Sequence, residues 1–235
     1  MKKNFFFLFL SFFFFSLSAQ DTYHQELLLQ LQSEYGLENP SYILSNQEVN
    51  NLDGTYLYGN ASQISSSVTG STFQRKLTIK NNSIGNNPWD AGFGTPNQGT
   101  IAEGDVCLMV FWGRKISSDS DVSLFIENVD NFDKEVYSSF SFQVDWTQYF
   151  VAFESSENYA SNKLAFGLHL ASAVQEFEIA GLTVLNFKDQ YPLENFPSIF
   201  SPGNYEGNEI DAPWRAAAAS RIETLRKAAL QIKVV

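Results

Sequence analysis

The chain has two histidines, His24 and His169, and one cysteine, Cys107, with no metal-ligand spacing around any of them. It has no Gly-rich phosphate loop, no nucleophile elbow and no Cys/His pairing. Glu176 and Glu178 stand two apart on one side of a strand pattern, too local to flank a glycosidic bond. No constellation supports catalysis role by role. What remains is recognition chemistry. A sugar presents an apolar C–H face ringed by hydroxyls, so its site needs flat aromatic platforms beside amide, carboxylate or guanidinium groups.

Several residues fit that description. In "VFWGRK", Trp112 and Arg114 share one parity, while Phe111 shares the other with Cys107 and Met109. If the second row faces the core, Trp112 and Arg114 stand together outside. In "KLAFGLHLA", His169 lies opposite the apolar row Leu164, Phe166, Leu168, Leu170, which allows it the same outer face. Gln175 follows close by. Arg75 interrupts an apolar row, and Trp89 lies in "NPWDAGF". Each has a structural alternative. Trp112 fits the core, as does Trp146 in line with Phe140, Phe142 and Val144. Trp89 fits either a platform or a plug pinning its loop. His169 suits a structural role, and Arg75 a carboxylate partner.

These side chains need a scaffold, and residues 41–188 read almost entirely as strand. "TFQRKLTIK", "DVCLMVFWGRK", "DVSLFIENV", "FSFQVDW", "QYFVAFES", "KLAFGLHLA" and "FEIAGLTVLNF" are short, rich in β-branched and aromatic residues, and separated by Gly, Asn, Asp and Ser. Such spacing without intervening helices predicts an all-β antiparallel sandwich. Gly181 inside an alternating strand marks a bulge. Residues 81–105, "NNSIGNNPWDAGFGTPNQGTIAEGD", read as one long surface loop. Cys107, in an apolar strand, reads as a buried small hydrophobe.

The flanks are of other kinds. Residues 1–19 form a secretory signal: Lys2 and Lys3, a Phe/Leu run too short to span a bilayer, then small residues, with cleavage expected between Ala19 and Gln20. Cleavage removes the two lysines and so moves the net charge from -11 to -13. The mature protein is expected to be secreted or periplasmic. An acidic chain without basic runs is a poor candidate for nucleic acid or anionic membrane, so neither is expected as a partner. Residues 20–40 are a polar lead with a weak helical stripe (Leu27, Leu28, Leu31, Tyr35). Residues 189–211 are an aperiodic linker, laid over a surface because Tyr191, Phe196 and Phe200 would otherwise sit in water. Asp211 and Pro213 then open a helix in 212–235, and Leu230, Ile232 and Val234 begin a strand.

"NPWDAGF", "GDVCLMVFWGRK", "WTQYFVAF" and "LHLASAVQEFEIAGLTVLNF", in that order, resemble the galactose-binding-like, jelly-roll carbohydrate-binding modules of the family 4, 9 and 22 type. The ending "YEGNEIDAPWRAAAASRIETLRKAALQIKVV" resembles the segment that joins such a module to a family 10 glycoside hydrolase in endo-1,4-β-xylanase-like proteins. The resemblance implies that residues 232–235 begin a further unit and that a downstream catalytic barrel is missing from this chain. It also implies a β-linked polysaccharide, xylan or β-glucan, as ligand. Trp112 and Arg114 would line the cleft, with His169, Gln175, Trp89 and Arg75 near it. No cofactor is expected. The family allows a structural calcium, for which no ordered ligand motif stands out. The alternative is a sandwich that docks onto the downstream domain without binding sugar.

Overall fold

The computed structural model describes residues 19–52, 54–117 and 121–199, with Ala218 and Arg221 as isolated further positions. The chain divides into two compact units, 1–199 and 200–235. Ala218 and Arg221 are both helical. The rest of the expected C-terminal helix and strand, Phe200 and the signal at 1–18 lie outside the described residues.

The first unit begins with helix α1 (Ala19–Tyr35), strand β1 (Ser41–Leu44) and the short helix α2 (Asn46–Asn50). Ten strands follow: β2 (Tyr56–Tyr58), β3 (Ala61–Ser67), β4 (Arg75–Asn81), β5 (Gly92–Pro96), β6 (Val106–Ser117), β7 (Val122–Asn128), β8 (Lys134–Phe140), β9 (Thr147–Glu154), β10 (Leu164–His169) and β11 (Gln175–Asn186). They form two sheets, one ordered β3-β4-β11-β6-β9 with β1 also on β11, the other β2-β5-β10-β7-β8. Every pairing between these strands is antiparallel. The fold is the expected antiparallel sandwich.

Alternation builds the core between the sheets. Leu77, Ile79, Cys107, Met109, Phe111, Phe177 and Ile179 of the six-stranded sheet are buried against Phe93, Leu124, Ile126, Phe166 and Leu168 of the other. Cys107 is fully buried, and that burial pushes its thiol pKa up.

A second core lies on the outside of the six-stranded sheet. Here the opposite parity of β6 (Val106, Leu108, Val110) joins Ala180, Leu185 and Phe187. Tyr23, Leu27 and Leu31 of α1 cover it, at the spacing of one helical face. Residues 20–40 are therefore not merely a polar lead. The Tyr23 hydroxyl donates to the Gly181 carbonyl at 2.6 Å, and Gln30 and Gln148 exchange amide hydrogen bonds of 3.0 and 3.1 Å. Gly181 has φ +63°, and the register shifts between Ala180 and Thr183, so the expected bulge is present. A Cβ on Gly181 would lie 2.4 Å from the Tyr23 hydroxyl. The bulge is the socket for the helix. From the other end, Tyr191 and Phe196 pack on Phe187 with ring centroids 6.1 and 5.1 Å away. The Ile199 N–H bonds to the Phe150 carbonyl at 2.9 Å, covering part of the β9 edge.

Two strand assignments differ from the sequence expectation. The long loop 81–105 contains β5, a central strand whose Gly92, Gly94 and Pro96 disguise it. The strand read at "FSFQVDW" lies earlier, at β8, and 141–146 is irregular. Phe140 and Phe142 still pack their rings around Phe111 and Tyr149. Side-chain alternation continues there after backbone pairing has ended.

Candidate binding cleft

Among the described residues, no second core covers the outer face of the five-stranded sheet. On it the strand register aligns Tyr58, Gly92, His169 and Ser123 in one row, and Tyr56, Gly94, Gly167, Phe125 and Tyr137 in the next. A third row carries Pro96, Ala165, Glu127 and Lys134. Gly92, Gly94, Gly167 and Ala165 thus leave β5 and most of β10 low, beside the aromatic side chains of β2, β7 and β8 and the imidazole of His169. A Cβ added to Gly92 would lie 2.2 Å from the Tyr58 hydroxyl, and one on Gly94 would lie 2.4 Å from the Tyr56 ring. At Gly167 it would lie 2.4 Å from the Phe125 ring. The rings therefore lie down across the glycines rather than standing out. Tyr56 and Tyr58 are 26° from parallel, with centroids 6.3 Å apart, so they tile one edge.

The resulting cleft has a volume of about 730 Å³ and is lined by Tyr56, Tyr58, Trp89, Glu127, Val129, Phe132, Lys134, Tyr137 and His169. Trp89 closes one end. It is 54% exposed, on a 3-10 turn (Pro88–Asp90), and meets His169 edge-on at 6.4 Å. The Asp90 carboxylate fixes this turn by accepting the Asn86 and Asn87 N–H groups at 2.7 and 3.0 Å. The Asn87 backbone amide leads the contacts that hold the Asp90 pKa below the usual carboxylate range. The turn is also tied to the chain after β10, where the Ala171 N–H bonds to the Pro88 carbonyl at 3.0 Å.

The polar groups are few. Glu127, nearly buried, forms an ion pair with Lys134, so the two charges compensate. His169 is buried among Phe125, Tyr137 and Trp89, and its Nδ1 has no hydrogen-bond partner. Burial, helped by Lys134, lowers its pKa from 6.5 to about 4. Burial, with the Glu127 charge second, pushes Tyr56 up to about 12, and burial raises Tyr58 as well. At neutral pH the cleft thus offers neutral phenols, a neutral imidazole and one compensated ion pair, around flat apolar rings. That set suits the C–H faces and hydroxyls of an uncharged sugar chain.

The structure divides the residues expected to share one site. Trp89 and His169 line the cleft. Trp112 and Arg114 do not, because β6 belongs to the other sheet. They do face outward from that sheet, but Trp112 is half-buried against Phe73, beside the core under α1. Arg114 lies 4.8 Å above the Trp146 ring and pairs with Glu178 at 2.7 Å. Burial pushes the Glu178 carboxyl up, but hydrogen bonds from Lys76 and Arg114 outweigh it and leave its pKa lowered. Trp146 is half-buried on Phe73, and Val144, expected beside it in the core, is exposed. Gln175 is buried, with its amide donating to the Leu170 carbonyl at 2.9 Å. Arg75 is exposed on β4 and donates to Ser65 rather than to a carboxylate. Neither reaches the cleft. Parity shows which side of its own strand a residue occupies but not which sheet the strand joins. The sequence reading missed Tyr56, Tyr58, Glu127, Phe132, Lys134 and Tyr137. The one available signal was "TYLYG", two tyrosines of one parity beside a glycine. Among the described residues, no group of three or more His, Cys, Asp and Glu side chains is placed to hold a metal ion.

No family model and no curated protein sequence matches the chain. Among solved structures it is similar to the second N-terminal cellulose-binding domain from Cellulomonas fimi β-1,4-glucanase C, at 18% identity and TM-score 0.48, over 63% of this chain and 96% of that one. It is similar to the CBM22-1 xylan-binding domain from Paenibacillus barcinonensis, at 11% identity and TM-score 0.46, over 63% and 96%. An arabinose-bound α-L-arabinofuranosidase aligns at 14% identity and TM-score 0.49, over 71% of this chain but only 28% of the enzyme. The chain's structural neighbours thus include carbohydrate-binding modules of types 4 and 22, as the resemblance in sequence anticipates.

Proposed function

We propose that this chain is an exported, non-catalytic carbohydrate-binding module that holds a neutral β-linked polysaccharide, xylan or a β-glucan, in the cleft of its five-stranded sheet. One observation carries the reading. Tyr56, Trp89, Val129, Phe132 and Tyr137 are all exposed large apolar side chains, and all five line the same cleft. A soluble protein seldom leaves so much apolar surface converging on one hollow without a ligand for it. Flat rings with sparse, charge-compensated polar groups favour a sugar over an anionic ligand or a purely apolar one. In this reading the module would bring a family 10-type hydrolase to its substrate. The chain itself is expected to release no reducing sugar.

Affinity electrophoresis of the 20–235 protein through gels containing xylan, laminarin or cellulose derivatives tests this. Retardation by at least one glycan, lost in Trp89→Ala with the melting temperature unchanged, is the expected result. No retardation on any of them refutes sugar binding. That outcome would favour the docking role, for which the pinned linker of Tyr191, Phe196 and Ile199 is the specific support.

A further inference from the structure

Phe132 occupies a position that both backbone and solvent oppose. It lies in the turn between β7 and β8 with φ 63°, the left-handed region that glycine enters freely and asparagine tolerates. The residue is 65% exposed. Neither local conformation nor burial accounts for a phenylalanine here.

The turn nevertheless holds it firmly. The Phe132 N–H bonds to the Asn128 carbonyl, and the Asn128 N–H to the Asp133 carbonyl, both at 2.9 Å. The side chains of Asn128 and Asn131 accept the Asp130 and Asp133 N–H groups at 2.9 and 3.0 Å. Lys134 Nζ donates to the Phe132 carbonyl at 3.0 Å, and Lys163 pairs with Asp130 at 3.0 Å. Such over-determination is how an unfavourable conformation persists, and it concentrates at functional positions. The other non-glycine residues with positive φ among those described are Asn39, Leu52, Asn162 and Lys188, none of which lines the cleft.

Location supplies the role. His169, beside Trp89, pairs with Ser123 at one end of β7, and Leu164 pairs with Asn128 at the other. The two ends are about 17 Å apart at the usual strand rise. Phe132 follows Asn128, so it stands at the opposite end of the cleft from Trp89. We propose that Phe132 is a specificity-determining rim of the glycan cleft, stacking on a sugar at the end remote from Trp89 and so setting how long a stretch of chain is gripped. This rests on the sugar-binding reading above and deepens it. The rigid turn holds the ring in place before the ligand arrives, so little ordering is needed on binding.

Isothermal titration of the 20–235 protein with xylohexaose and cellohexaose, paired with thermal melting, tests the proposal. Phe132→Gly should melt higher than the parent, because it relieves the left-handed strain and removes an exposed ring. It should also bind the hexasaccharide about fivefold more weakly. Phe132→Tyr should keep the parent affinity. A parent that binds with a Phe132→Gly variant that binds equally well overturns the rim role alone. A Phe132→Gly variant that melts lower shows the ring to be structural and overturns it too. A parent that binds neither probe, nor laminarihexaose titrated alongside them, removes the sugar-binding reading and this inference with it.

Discussion

Gly92→Ala is the most direct probe of how the cleft floor is built. The added methyl would lie 2.2 Å from the Tyr58 hydroxyl and 2.3 Å from its Cζ. Carbon atoms rest at about 3.5–4.0 Å, so the ring tip must lift by more than about 1 Å. It can do so cheaply, because Tyr58 is half-exposed on the edge strand β2. Alanine also regains about 0.5–1 kcal/mol that glycine loses in a strand interior. Stability should therefore change little, while on the proposed function a bound sugar would lose a flat ring worth about 1 kcal/mol, roughly fivefold in affinity. Titration with a xylan or cellulose hexasaccharide reads the second effect, and thermal melting reads the first. A cycle sharpens the test. Tyr58→Ala should lose as much affinity as Gly92→Ala, and the double variant should lose no more than either. Additive losses, or a Gly92→Ala protein that binds like the parent, would refute the placement of the Tyr58 ring over Gly92 as part of the binding surface.

Leu31→Ala should separate the two faces of the sandwich. This fully buried leucine belongs to the core under α1, so its loss should cost about 3 kcal/mol and lower Tm by roughly 6–12 °C, with glycan affinity unchanged in urea titration and binding assays run in parallel. His169 should make stability depend on acid. Its pKa is lowered from 6.5 to about 4 in the folded protein, so the unfolded chain takes up the proton first as pH falls. The stability tied to it should be complete above about pH 6.5, drain by at most about 3 kcal/mol down to about pH 4, and level off below, a slope that denaturation of His169→Phe should lack.

Much of the scaffold was legible because sandwich strands advertise themselves by alternation. Both faces of β6 could be read from its residues, since Cys107, Met109 and Phe111 fall on one parity and Leu108, Val110 and Trp112 on the other. The bulge at Gly181 was legible for a similar reason: one residue breaks a strict period of two. The helix α1 was legible only as a weak stripe. Its stability comes from the sheet beneath it, and a peptide of that length alone would be marginal.

The cleft was decided elsewhere. The sequence by itself determined that flat rings and amides were available on an acidic, disulfide-free β scaffold, and it picked out Trp89 and His169. Which sheet each strand joined was settled only by long-range pairing. That pairing put Trp112 and Arg114 on the outer face of the six-stranded sheet, and brought Tyr56 and Tyr58 over Gly94 and Gly92, far along the chain. Glycines depress strand propensity when read locally, yet here they are what lets the rings lie flat. A local pattern records the side of a strand a residue faces; only the packed sheets determine what covers that side, and an open aromatic floor exists where none of the described residues does.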